Sequence, residues 1–493
     1  AGAVRIEAGR LSMFDATISS ESRTTGRGGT VDIRANDIDL DGGGREFTGI
    51  SSEALSLGDA GDVRIEARNT LKVRNLAYIS SASFSAASAG NVDIRGGEVS
   101  LLGGGNITST GFRGGDSGDI SIGVDKLLVQ GGGGVRSFIA SAADGGEGHA
   151  GDVVINAGSL VVDDGAISSD TFGAGDAAQL RITAKDIVLR NVGSISSSTA
   201  SFGDAGSVDV KASSLVLEDL SVILSVATSI SQGAAGAVSV AADDVVVGKD
   251  AVITTATFGS GDAGGLDIVA KSLRIDGGQV SSSAEGDATG RASRVSIGVE
   301  RLDVLNGGAI LTLSVNPNHA GEIEISAGQA RVDGLGSIIS SENLSEAGGD
   351  AGTIRIRAQN LTIANGGRVT TNSVSGAAGD INLAIPRPGI LLLEGARAPG
   401  IIQTSSGSAT GGRIAISDPL AIISNGGSIL ALGELRGANV TIQSRYFVNS
   451  SDRVNTVAVD GDFRLETGLY DISSGVVSRD LSVLDASRVL RGQ

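Results

Sequence analysis

The chain has 493 residues with 76 glycines, five prolines, no cysteine, 40% hydrophobic residues and a net charge of −18. Missing cysteine excludes disulfides and thiolate metal sites, the acidic balance argues against nucleic acid, and glycine without proline excludes a collagen-like chain. The hydrophobic content suits an elongated array with a thin aliphatic core; no apolar run reaches the roughly 18 residues of a membrane-spanning helix, and a start at Ala1 without Met or signal peptide reads as a mature or trimmed product.

The predicted elements recur along the chain. Residues 1–8 form a strand in which Val4 and Ile6 alternate with polar residues, the period-two pattern of one buried face. Equivalent first strands start at Val31, Val63, Val92, Ile120, Val153, Leu180, Val208, Val238, Leu266, Val295, Ile323, Ile354, Ile381, Ile414 and Val440. The sixteen starts lie 26 to 33 residues apart, about 29 on average. Glycine stands two positions before thirteen of them, as at Gly29, Gly61 and Gly90, where a corner needs a positive φ or a close backbone approach. A second strand follows, as at 71–73, 160–162 and 361–363, ending in turns such as Asp276-Gly277 and Asn306-Gly307-Gly308. The third strand opens with Ile or Val and then hydroxyl residues, as in Ile18-Ser19-Ser20 and Ile167-Ser168-Ser169. Two residues after that lead, fourteen of fifteen copies carry Ser or Thr, Ala431 being the exception. This inward column is expected to form hydroxyl ladders, each hydroxyl donating to a neighbour or to backbone. Three short strands and three corners per unit make one rung. About sixteen rungs of roughly 29 residues then stack as an all-β parallel β-helix, a rod of roughly 75 Å at about 4.8 Å per rung.

The outward position after each start reads Arg5, Asp32, Arg64 and Asp93, and later sets Arg181 beside Asp209. This column suggests an inter-rung ion-pair ladder, each exposed pair contributing at most about 1 kcal/mol. The alternative is a carboxylate pair, Asp32 and Asp93, about 10 Å apart on a glycan-cleaving β-helix. Phe84, Phe112, Phe172 and Phe258 share one register and are expected to stack at a corner. Four residues before the starts stand Asp59, Asp116, His149, Asp176, Asp204, Asp262, His319 and Asp350, with Arg27, Ala234 and Arg291 interrupting. These read as solvated turns, with Asp176 and Asp204 as candidate calcium ligands; no other cofactor, metal or catalytic residue is expected. The two histidines stand six rungs apart, about 29 Å, too far to share a metal. The glycine strings 103–105 and 131–134 lack the Lys-Ser/Thr and helix of a phosphate loop and read as turns.

After Ile442 the alternation changes, so 1–442 is the repeat region and 443–493 a C-terminal cap ending in a short helix. The first strand, in contrast, has no cap before it. Rungs of the form GDVxIxA…L…DGAxISSxTFGxGDAG resemble the repeats of filamentous-haemagglutinin-type exoproteins of two-partner secretion systems. The tail SRYFVNSS…DISSG…LDASRVLRGQ is similar to the C-terminal end of such proteins. The resemblance spans essentially the whole chain as their repeat and C-terminal part, without their N-terminal secretion domain. It implies a right-handed β-helix, an outer-membrane secretion partner, and an extracellular or cell-surface location on a bacterium with an outer membrane.

The expected function is non-enzymatic: a structural fibre subunit or adhesin meeting a host-cell or glycan surface. Val4 and Ile6 of the open rung would meet Tyr446, Phe447, Leu481 and Leu484 of another copy, giving end-to-end filaments. The alternatives are a carbohydrate-active β-helix enzyme, lyase-like or hydrolase-like, and a passive glycan-binding module.

Overall fold

The computed structural model describes residues 1–45, 47–434, 438–449 and 453–471. They divide into two units, Ala1–Leu273 with Gly278–Ser293, and Arg274–Gly277 with the residues from Arg294 onward. Within each unit every regular element is a strand, and the strands pair in parallel with their counterparts one repeat away. Val4 pairs with Val31, Val31 with Val63, and Ile323 with Ile354, so the strand starts expected from the alternation are in register. Each unit is thus a parallel β-solenoid fitting a right-handed parallel β-helix. Among the described residues sixteen short strands mark about sixteen turns.

The expected three strands per rung are in most turns two. A long strand such as Val31–Asp41 or Ile120–Gln130 carries the first two faces, and a short one such as Gly49–Ala54 the third. The corner between the first two faces hardly interrupts the ladder. In Ile120–Gln130, Ile120, Ile122 and Val124 point inward, Asp125 and Lys126 both point outward, and Leu127 and Val129 point inward again. Two outward residues in succession reset the alternation and turn the chain, and pairing skips a single position, from Ala157↔Val124 to Ser159↔Lys126. The faces separate into two strands only where proline intervenes. Pro386 and Pro388 lie between Ile381–Ala384 and Ile390–Glu394, and Pro419 between Ile414–Ser417 and Ala421–Asn425. Proline has no N–H to give the ladder, so the strand must break there.

The core is the stack of inward aliphatics: Val31, Ile33, Ile38 and Leu40 have no more than 1% of their surface exposed, and the same columns are buried in later turns. The glycine column before each first strand is explained by close approach. None of its members has a positive φ, but a Cβ on Gly61 would lie 2.5 Å from the Gly29 carbonyl oxygen. The inward hydroxyls staple these corners rather than forming a ladder with one another. Ser52 donates to the Gly29 carbonyl at 3.0 Å and accepts from the Gly61 N–H at 2.9 Å; Ser81 and Ser109 repeat the arrangement. Where the glycine is replaced by Ala178 or Ser293, the donated bond of that staple, from Ser169 or Ser282, stretches to 3.3 Å.

Several corners after the long strands place both central residues at positive φ, as at Asn306 (52°) and Gly307 (87°) or Asn191 (50°) and Val192 (65°). Of the four phenylalanines, Phe84 and Phe112 occupy consecutive turns and stack at 5.1 Å. Phe172 is separated from Phe112 by the turn carrying Asp144, and Phe258 lies further along, so the expected stack is one pair. The ladder also runs on beyond 442. Val440–Asn449 pairs with Phe463–Asp471, and Thr456–Val459 with Ser428–Gly433, so the solenoid includes the start of the expected cap. Residues 472–493, with Leu481 and Leu484, lie outside the described residues.

Candidate functional site

The Gly/Asp corner was the strongest candidate for chemistry, and its side chains serve the next turn. Asp176 Oδ1 accepts from the Asp204 N–H at 2.8 Å, and Asp204 Oδ1 from the Ala234 N–H at 2.7 Å. Asp59, Asp116, Asp262 and Asp350 do the same for the turns that follow them. His149 and His319 take the place of Asp in this column: Nδ1 of each accepts, from Asp176 N–H at 2.9 Å and from Asp350 N–H at 3.1 Å. That use requires a ring nitrogen without a proton. A second column, immediately before the strand starts, repeats the scheme with Asp62, Asn91 and Asp119. Among the described residues no three His, Asp or Glu side chains converge on one point.

The outward charges pair partly between rungs, as Arg355 with Glu322 at 2.7 Å, and partly within one rung. Arg64 pairs with Asp62 at 2.8 Å and Arg95 with Asp93 at 3.1 Å, two residues apart in the chain. Arg34 bridges its own Asp32 at 3.5 Å and Glu66 of the next turn at 3.7 Å. Strand geometry explains this, because residues i and i+2 share a face. Asp32 and Asp93 share a shallow groove with Arg34, Arg64 and Arg95, an arginine standing beside each carboxylate. Arg181 reaches Gln179 rather than Asp209, which itself accepts from Gln179.

Of the expected assembly residues, Val4 and Ile6 are partly exposed on a strand paired to Val31–Asp41. Phe447 is buried opposite Ile422 and so is a core residue, unavailable to another copy. Tyr446 is half-buried, with the Arg445 guanidinium 5.4 Å over its ring. Asp170, on the outer side of Gly165–Thr171, has one carboxylate oxygen buried without a partner, and burial pushes its carboxyl up.

A groove of about 720 Å³ lies in the second unit over three successive corners. Its floor is the tight turn at Asn365 and Gly366, and its walls come from enlarged neighbours. Leu335, between Gly334 (φ 102°) and Gly336 (φ 83°), is 72% exposed on one side. Residues 395–400 form the other, where a Cβ on Gly366 would sit 2.7 Å from Leu335 Cδ2 and 3.4 Å from Ala398 Cβ. Asn365 Nδ2 donates to Asp333 at 2.9 Å, and Arg331 pairs with the same carboxylate. Asn365 Oδ1 is buried with no partner. Arg397 is exposed on the wall.

Comparison with protein-family models, curated proteins and solved structures gives no match. The groove therefore stands on its own geometry. Sequence reasoning missed it because Leu335 and Arg397 are ordinary loop residues 62 positions apart, brought together only by stacking. The available signal was length: the loop at 395–400 exceeds the Asn-Gly-Gly turns around it.

Proposed function

We propose that the protein is a secreted, non-enzymatic β-solenoid serving as a structural and adhesive element outside a bacterial cell with an outer membrane. One observation carries the reading: the Asp/His, Asp/Asn and Ser/Thr columns bond the backbone of the neighbouring turn. Polar residues committed to stacking make a persistent support for surface display. The resemblance to filamentous-haemagglutinin-type repeats supports export through an outer-membrane partner. Self-association belongs to the same reading, because within each unit a turn pairs with the next by one rule and a turn of another copy is chemically equivalent.

Protease treatment of intact producing cells should remove the protein while sparing cytoplasmic markers, and electron microscopy of purified material should show filaments at high concentration. Retention inside intact cells would overturn the export reading, and single particles at all concentrations would overturn self-association. Polysaccharide cleavage abolished by Asp32→Ala or Asp93→Ala would replace the non-enzymatic reading by the carbohydrate-active one.

A further inference from the structure

We infer that the groove between Leu335 and Arg397 binds a carboxylated sugar unit of a polysaccharide. The inference is independent of where the protein works or whether it polymerises.

Its volume lies in the range of small-ligand sites, roughly 300–1,000 Å³. Four features select the ligand. Arg397 has no carboxylate within ion-pair distance among the described residues, unlike Arg331, which is held by Asp333. A free guanidinium on a cavity wall fits a carboxylate through two parallel hydrogen bonds. Asn306 and Asn365 lie beside it in the groove, and planar amides both donate to and accept from vicinal hydroxyls. Asn365 Oδ1 is a buried acceptor without a donor, and an unmet buried acceptor is costly enough to demand an explanation. A sugar hydroxyl reaching the turn through a small side-chain shift would relieve it. Finally, Leu335 offers an exposed aliphatic surface in a loop where two positive-φ glycines hold it outward, matching the C–H face of a pyranose ring. The ligand is thus amphipathic, hydroxylated and anionic. The groove is open to solvent along its length, so an internal unit of a longer chain fits as well as an end.

The measurement is titration calorimetry of the full chain with tri-galacturonate, with neutral galactotriose as control. Tri-galacturonate should bind, galactotriose at least tenfold more weakly. Arg397→Gln, a change at an exposed loop side chain, should weaken tri-galacturonate binding at least tenfold while leaving the melting temperature in place. Leu335→Ser should weaken both saccharides. Arg5→Gln, in the other unit, should change neither. No tri-galacturonate binding, equal binding of the two saccharides, or an affinity unmoved by Arg397→Gln would each overturn the site. Loss of export or filaments would leave this result untouched.

Discussion

Gly61 and Gly123 both avoid the positive-φ region, but their surroundings differ. A Cβ on Gly61 meets the Gly29 carbonyl at 2.5 Å, whereas one on Gly123 meets nothing within 4 Å. Backbone cannot swing aside as a side chain can, so Gly61→Ala is expected to destabilise by about 2 kcal/mol and Gly123→Ala to stay within about 0.5 kcal/mol. Urea unfolding of the full chain measures both. Val192 is the opposite case. It holds φ at 65° in a turn whose homologues at 307 and 366 are glycine, and its side chain is 49% exposed. A β-branched residue in the left-handed region costs roughly 1–2 kcal/mol. Val192→Gly is therefore expected to gain about 1 kcal/mol in the same assay; a loss of stability would show that its side chain has a packing role.

At the scale of the element, the corner is the unit of cohesion. Asp163, 6% exposed, gathers Asn191 Nδ2 at 2.7 Å and Arg190 at 3.0 Å from the following turn and Gln130 at 3.1 Å from the preceding one. The Asn191 amide, assisted by the Arg190 guanidinium and Gln130, holds its carboxyl below the usual range. A carboxyl lowered in the fold binds its proton less readily than in the unfolded chain. Its contribution is complete above the ordinary aspartate value of about 4 and is lost as pH falls through the lowered one. Asp163→Asn should cost about 2 kcal/mol at pH 7 through the charge-assisted bond to Arg190, and the gap to wild type should narrow under acid. Asp41 and Asp276, lowered by Asn75 and Arg274 respectively, add to the same acid sensitivity.

Much of this element was legible beforehand. Alternation placed every first strand, because burial on one face of a strand forces period two. The merging of two faces into one strand was not, since Asp125 and Lys126 look like a break unless the outward pair is seen to turn without losing the ladder. Nor were the partners of Ser52 or His149, which lie one repeat away and depend on which backbone group the stack presents. The groove at Leu335 was invisible for the same reason.

At the scale of the molecule, each unit is a sum of turns and nearest-neighbour contacts. Residues 180 to 207 make one period, because Leu180 pairs with Val208 and Val153 with Leu180. Deleting 180–207 sets Val208 against Val153 with every column intact. The shortened chain is expected to fold with wild-type β circular dichroism per residue and a melting temperature within a few degrees. Deleting 180–193 puts outward residues in the core and should abolish cooperative melting. Equal behaviour of the two deletions would refute the turn-by-turn account.

The Asp and Asn side chains of the corner and the backbone beside them bond in opposite senses. The N–H of Ser88 reaches back to the Asp59 carboxylate and that of Asn91 to Asp62. The N–H groups of Ala60 and Val63 reach forward, to the carbonyls of Ser88 and Asn91. A finished turn therefore presents acceptors and donors side by side, and the next turn must answer both. A turn that slipped by one residue would set donor against donor along the whole corner, so the pattern works as a key that fixes register as well as a clasp that holds it.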